Sequence, residues 1–435
     1  MKIKFFSTLL ILSFVSTAYA QDLLETYKLA LDNDPQLKQA YFTQYSVAES
    51  KSQSIAQMLP SISLTAKSSR ERIFNKRASF QSAGLQHYWN QSFIINLTQP
   101  VFHWDHWVQL SQSDNRIAKA EAEYRAERQN LMVRVTEAYF NILSAQDNLD
   151  FTISEQTAIE RQLEQAKQRF EVGLIAITDV YEAQAGYDQA VADQIEAINV
   201  LDDNKEALRE IIGDNEAALL NLGSEVSFLP PQPNDITKWT ELANNNNLNI
   251  IAAFNQLEVS KKNIAIQQSG HLPTLDIVAN YNTQDVNSTF GLRGDTQSVG
   301  LQLNVPLFQG GQVYSQSKQA QFDFEVAKEN LLGTRRLVKR QLRNAFRDVI
   351  SSLSRMRALE ATVTSSKSSL EASEAGFEVG TRTMVDVLAE QRNLYRAKRD
   401  YSRSRYDYLI NGVKLKQAAS SLNEDDLQLI NQYLE

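Results

Sequence analysis

The chain has 435 residues, no cysteine and a formal net charge of −8. The missing cysteine excludes disulfides, metal thiolates and a thiol nucleophile, and the acidic balance argues against nucleic acid as a partner. With only 15 Gly and 8 Pro, long uninterrupted elements are favoured over many short ones.

Residues 1–20 read as an export signal. Lys2 and Lys4 precede an apolar run from Phe5 to Val15, and Ala18-Tyr19-Ala20 offers the small residues a signal peptidase needs, with cleavage before Gln21. Losing the two lysines takes the net charge from −8 to −10. The apolar run is shorter than the roughly 20 residues of a membrane-spanning helix, and no later segment is long and apolar enough.

From Asp22 to about Gln57 the pattern is helical, with Leu23, Leu24, Tyr27 and Leu31 before Pro35 and Leu37, Tyr41 and Tyr45 after it. Asn33-Asp34 before the proline predicts a break and a second helix starting at Pro35.

The period then changes to two. After Pro60, Ile62, Leu64 and Ala66 alternate with Ser61, Ser63 and Thr65, followed by a polar tip containing Arg70, Glu71, Arg72, Lys76 and Arg77. The return run carries Phe93, Ile95 and Leu97 against Ile94, Asn96 and Thr98 and ends at Gln99-Pro100. Such alternation fits a half-buried sheet in any soluble protein, or a strand with lipid on one side and water on the other. Trp89, Phe102, Trp104, Trp107 and, later, Phe308 cluster where such strands end, the composition of an interfacial girdle, and favour lipid.

Each return run leads into a helical pattern of about 60 residues, from near Trp107 to Val172 and from near Gly311 to Val379. At 1.5 Å per residue that is roughly 90 to 100 Å of rod. Seam positions fall seven apart at Leu131, Ala138, Ala145, Thr152, Ile159 and Ala166, and at Val135, Ile142, Leu149, Gln156, Leu163 and Phe170. The second copy has Val338, Ala345, Ser352, Leu359, Ser366 and Ser373, and Leu342, Val349, Met356, Val363, Leu370 and Phe377. The offset of four between series is heptad spacing and predicts a left-handed supercoil; the many small residues predict closely set helices.

The helices end in a stretch that the chain contains twice, FEVGLIAITDVYEAQAGYDQA at 170–190 and FEVGTRTMVDVLAEQRNLYRA at 377–397, with eight identities in 21 ungapped positions. Gly173 and Gly380 stand where a helix end needs positive φ, as turn hinges. Asp179 with Glu182 predicts one capping box and Thr383 with Asp386 another.

The segments therefore run in a repeated order: helical (21–59), strand pair (60–103), long and return helix (104–212) and an intervening stretch (213–245), then helical (246–271), strand pair (272–308), long and return helix (309–420) and a final stretch (421–435). The second strand pair has Leu275, Ile277, Ala279 and Tyr281 after Pro273, and Val299, Leu301, Leu303 and Val305 before Pro306. The fold class is mostly α with a membrane β-barrel in a tandem-duplicated chain. Four strands cannot close a barrel, and lipid tolerates no open sheet edge, because each unpaired backbone group there costs several kcal/mol. Several chains must share one barrel. Two copies make about eight strands, whose interior side chains nearly fill, so an open lumen needs three or more in a closed ring.

The residues resemble the TolC-type outer membrane channels of Gram-negative efflux and type I secretion systems across essentially the whole mature chain. The likeness is carried by His271-Leu272-Pro273-Thr274-Leu275, Asn304-Val305-Pro306-Leu307-Phe308-Gln309-Gly310-Gly311, Val379-Gly380-Thr381-Arg382-Thr383 with Val385-Asp386-Val387-Leu388, and Tyr408-Leu409-Ile410-Asn411. It implies a homotrimer with four strands per protomer in one barrel in outer membrane lipid, continued by an α-helical barrel across the periplasm. It also implies an equatorial belt at 213–245 and 421–435, a periplasmic adaptor, an inner membrane transporter of RND, ABC or MFS type that supplies the energy, no cofactor and no chemistry in the channel. The paired turns would then lie at the periplasmic tip. Arg382 matches the family's gate arginine, Thr178 and Asp179 the residues it ties to on a neighbouring coil, and Asp386 an aspartate lining the entrance, where three copies make an anionic ring. For Asp179 and Asp386 plain helix capping near a positive dipole end stands beside the gate role, and both can hold. Phe377 stands where well-known members carry a tyrosine, and Ala389 where they carry a second acidic residue, so a gate with fewer polar links and a weaker entrance field is expected.

His103 and His106, with Asp105 between them, suggest a metal site, but two histidines beside an aromatic girdle are more often structural, and no metal is assigned. Ser, His and acidic residues show no catalytic spacing. A periplasmic coiled-coil adaptor without a pore is the alternative; it accounts for the heptads but not for four alternating strands bounded by Pro and aromatics.

Overall fold

The computed structural model describes residues 21–75, 84–214, 218–223, 226, 228–287 and 293–435. The export signal at 1–20 and Lys76 and Arg77 of the expected strand tip lie outside the described residues.

Two short helices, α1 (Leu23–Asn33) and α2 (Pro35–Ala56), lead into β1 (Ser61–Asn75), β2 (Gly84–Phe102), the long helix α3 (Trp104–Glu171) and its return helix α4 (Ile177–Ile212). The order then repeats as α5 (Ile236–Asn246), α6 (Leu248–Ser269), β3 (Thr274–Val286), β4 (Arg293–Asn304), α7 (Gln312–Glu378) and α8 (Met384–Ala418), with α9 (Glu424–Asn431) at the end. The chain forms two compact units. One comprises residues up to 38, 127–245 and 339–435, and the other 39–126 and 246–338.

Pro35 does open α2, and the residue before it supplies the cap. The Asp34 carboxylate accepts from the Leu37 N–H at 2.6 Å and from both terminal nitrogens of Arg134 at 2.7 and 2.9 Å. Burial alone would raise the Asp34 carboxyl, but the Arg134 hydrogen bond and the Leu37 N–H outweigh it and hold it below the ordinary carboxylate range.

In the first unit the heptad seams are inside. Leu131, Val135, Ala138, Ile142 and Ala145 of α3 and Leu342 and Val349 of α7 are buried; of all the seam positions, Val338 of the second unit included, only Phe170 is exposed. Helix α8 is tied to α3 of the other repeat along its length. Arg399 pairs with the buried Glu155 at 2.7 Å, the Tyr406 hydroxyl donates to Asp147 at 2.8 Å, and Lys414 reaches Glu137 at 2.5 Å. The stretch after α4 meets the C-terminus, where Glu435 and Asn221 exchange backbone hydrogen bonds of 2.9 and 3.1 Å. The buried Tyr139 hydroxyl secures that stretch by donating to the Leu220 carbonyl at 2.9 Å.

The second unit holds one antiparallel sheet of order β1-β2-β3-β4. Arg70, Glu71 and Arg72, expected in a polar tip, are still strand and pair with Trp89, Tyr88 and His87. Backbone pairing does not need the apolar alternation that marks the rest of β1, so the ladder outlasts the pattern that revealed it.

Candidate functional site

The two turns are built alike. In the first, the Gly173 N–H bonds to the Phe170 carbonyl at 2.9 Å and the Leu174 N–H to Arg169 at 2.8 Å; in the second, Gly380 bonds to Phe377 at 3.1 Å and Thr381 to Gly376 at 2.8 Å. This is the Schellman closure, and both glycines take φ +75°, which an L side chain rarely adopts.

The caps differ. Thr383 caps α8 in a complete box: its Oγ1 accepts from the Asp386 N–H at 3.2 Å, and Asp386 Oδ2 accepts from the Thr383 N–H at 2.9 Å. The expected box of Asp179 with Glu182 is not there. Helix α4 starts three residues earlier, its N-cap is Ala176 and no side chain caps it. Ala176 is the counterpart of Thr383, and Asp179 is the counterpart of Asp386, the third helical residue. The backbone register of the duplication therefore holds while the capping oxygen of the first copy is missing.

The hydrogen bonds from Thr383, backbone first and hydroxyl second, together with the charge of Arg382, hold the Asp386 carboxyl below the ordinary range. Arg382 and Thr178 are exposed, and Asp179 is half-buried. Among the described residues no ion pair uses Arg382, so it is not joined to Asp179 within the chain. Phe377 packs on a cluster that the sequence reading did not assemble: Ile159, Leu163 and Ala166 of α3, Ala183 and Ala190 of α4, and Met384 and Leu388 of α8. The Arg169 guanidinium lies 5.2 Å from the centre of the Phe377 ring. The heptad seams supply the α3 members, and the seven-residue spacing of Ala183 and Ala190 was the signal for those of α4.

In the sheet, register carries one face across all four strands. Ile62 stands opposite Leu97, Leu97 opposite Ala279 and Ala279 opposite Val299. The next row contains Leu64, Ile95 and Tyr281. The other face is mostly polar, with Ser63, Asn96, Asn280 and Ser298 in one row and an Asn280–Asn96 amide bond of 2.6 Å; Ile73, Ile94, Val278 and Val286 are apolar exceptions. A bulge between Pro100 and Phe102 brings Phe102 opposite Leu275, onto the apolar face. Trp89, at the far end of β2, shares that face. At 3.3 Å per residue about 43 Å of strand separates the two, or roughly 33 Å of membrane at the 35–45° tilt of barrel strands. Trp89, Phe102, Trp104, Trp107 and Phe308 are all exposed; Trp104 and Trp107 lie on the first turn of α3.

A sheet apolar across one face and polar across the other, in a chain whose helices pair as coiled-coil hairpins, defines the class of outer membrane channel proteins, which are passive ducts and not enzymes. Residues 26–214 and 239–421 match the outer membrane efflux protein family. The chain is 38% identical to the outer membrane protein TolC of Vibrio cholerae over 96% of its own length and 94% of that protein. It is 29% identical to the alkaline protease secretion protein AprF of Pseudomonas aeruginosa over 95% and 87% of the two chains. The solved outer membrane channel CmeC of Campylobacter jejuni has the same fold, with a TM-score of 0.79, 18% identity, and coverage of 95% of this chain and 90% of that one. The chain belongs to the outer membrane efflux protein family and is a channel protein of the outer membrane that extends into the periplasm.

Proposed function

We propose that three copies of this chain close one barrel and form the exit duct of tripartite efflux and type I secretion. The duct passes substrates without chemistry from an inner membrane transporter of RND, ABC or MFS type, through a periplasmic adaptor, to the outside. The observation that carries this reading is the sheet itself: β1 and β4 are its edges, yet both carry exposed apolar residues, Ile62 and Leu64 on one and Val299 and Leu301 on the other. Lipid accepts that face only if the edges find strands in other copies. Twelve strands leave a lumen where eight would nearly fill. The likeness to a protease secretion protein supports the secretion role, and the likeness to TolC supports the trimer.

The paired turns are the gate. Arg382, which forms no ion pair among the described residues, reaches Thr178 and Asp179 of a neighbouring protomer. Asp386, kept ionised by its cap, forms the entrance ring, and Gly173 and Gly380 are the hinges about which the coils part. Phe377 contributes packing to the closed state and no hydroxyl link. The segments at 213–245 and 421–435 form the equatorial belt. Single-channel recording of the purified protein in planar bilayers tests the whole reading. The parent should be mostly closed and cation-preferring, Arg382→Ser should open it more often, and Asp386→Ala should lower the preference for cations. A preparation that is monomeric in detergent and carries no current would overturn the proposal; unchanged gating in Arg382→Ser would remove Arg382 from it.

A further inference from the structure

We infer that the junction of β2 and α3 is a binding site for a first-row divalent cation of the zinc type, held by His103, Asp105 and His106. His103 precedes the first residue of α3, and the other two lie in its first turn. One ligand atom from each of the three side chains can be chosen so that all lie within 4.8 Å of one another. His103 Nδ1 is 3.9 Å from Asp105 Oδ1, and His106 Nε2 is 3.7 Å from Asp105 Oδ2. Two donors sharing one tetrahedral zinc stand about 3.4 Å apart, given bonds of 2.0–2.2 Å. The two His–Asp105 separations have to close by about half an ångström or less and the widest of the set by up to about 1.4 Å, within reach of side-chain rotation.

The second carboxylate makes this more than a chance cluster. Asp276, from β3, lies 3.0 Å from His103 Nε2. A ring that donates through Nε2 presents the lone pair of Nδ1, and that nitrogen is the one turned toward Asp105. A carboxylate that orients a histidine through the nitrogen away from the ion is the usual outer support of a metal ligand. A lone pair facing a carboxylate leaves room between them for a positive ion that both can ligate. The two rings lie together, stacked with centroids 4.6 Å apart. A single divalent ion satisfies both nitrogens and Asp105 together, and Asp105 and Asp276 balance its charge against the positive end of the helix dipole.

Imidazole with carboxylate suits zinc, copper or nickel far better than calcium or magnesium. The stacked ring planes must open for both lone pairs to converge. Turning His106 breaks no hydrogen bond at its Nδ1, which is buried without a partner. All three side chains keep some solvent contact, which leaves a water for the fourth position. As a mere staple between α3 and β3, the His103–Asp276 bond would need neither Asp105 nor His106.

The background for a test is low, since the chain has no cysteine and four histidines. The full chain, purified in detergent without a histidine tag, is titrated with ZnCl2 by calorimetry and with CoCl2 by visible absorption. One ion per chain is expected, with the intense d–d bands of four-coordinate cobalt. Binding should weaken at least tenfold in His106→Ala and in Asp105→Asn, a change that keeps the side chain's shape, and should be unchanged in His87→Ala. Circular dichroism of each variant confirms that the helices persist. No stoichiometric binding by the parent, or affinity unchanged in folded His106→Ala and Asp105→Asn, would overturn the inference.

Discussion

Asp34 shows what one side chain can carry. It closes α1, caps α2 and anchors Arg134 of α3, a residue 100 positions away. Removing one member of such a pair leaves the other uncompensated, at a typical cost of about 3–5 kcal/mol. Its folded-state pKa lies below that of the unfolded chain, so its contribution is complete above the ordinary carboxylate range and is lost as pH falls through the lowered folded value. Asp34→Asn should therefore melt earlier than the parent at pH 7, and the gap should narrow steadily as the pH is brought below 4; thermal melts followed by circular dichroism at several pH values measure both. A gap independent of pH would mean that the carboxylate charge is not what holds α1, α2 and α3 together. Pro35 made the break legible in the sequence. The partner was not, because nothing local distinguishes Arg134 from the many other surface-type arginines of a long helix.

At the scale of the element, two turns of one design differ by a single oxygen. Thr383 caps α8, whereas Ala176, at the same place in the first copy, caps nothing. Thr383→Ala should destabilise the start of α8 by about 1 kcal/mol and Ala176→Thr should stabilise the start of α4 by a similar amount. Hydrogen exchange of the first-turn amides reads this locally: about fivefold faster in one variant and about fivefold slower in the other. Equal exchange in both would show that the ends of these helices are held by packing on Met384 and Leu388 instead. The turns at Gly173 and Gly380 were legible because few other residues tolerate their φ, and the seams because heptad spacing survives small residues. The first cap was misplaced because Asp179 and Glu182 imitate a box at the right spacing. The duplication itself held the correction, since aligning Ala176 with Thr383 puts Asp179 inside the helix. The cluster around Phe377 was only half legible: each helix showed its own seam, but no periodicity says which seams meet.

For the whole molecule, the decisive property of the proposed duct is a lipid-facing sheet that one chain cannot finish alone. Alternation made the four strands legible. It could not reveal the bulge that turns Phe102 onto the apolar face, nor the continuation of β1 through Arg70, Glu71 and Arg72, because both depend on backbone pairing and not on side-chain type. The two faces of β4 offer a direct test, since neighbouring residues there point to opposite sides. Leu301 stands opposite Ile277 on the apolar face, and Gln302, one position on, stands opposite Asp276. A lysine on the lipid side of a barrel costs about 2–4 kcal/mol near the midplane, while one facing the lumen is tolerated. In the proposed trimer each substitution is present three times, and Leu301 lies between the midplane and the Phe102 end of the sheet, so Leu301→Lys should cost several kcal/mol per assembly and deplete the heat-modifiable oligomer in outer membrane fractions. Gln302→Lys should leave that oligomer in place and shift single-channel selectivity toward anions by adding three positive charges to the lumen. If both variants assembled equally well, the apolar face would not be meeting lipid, and a water-soluble assembly of the same hairpins would be the better account of the fold.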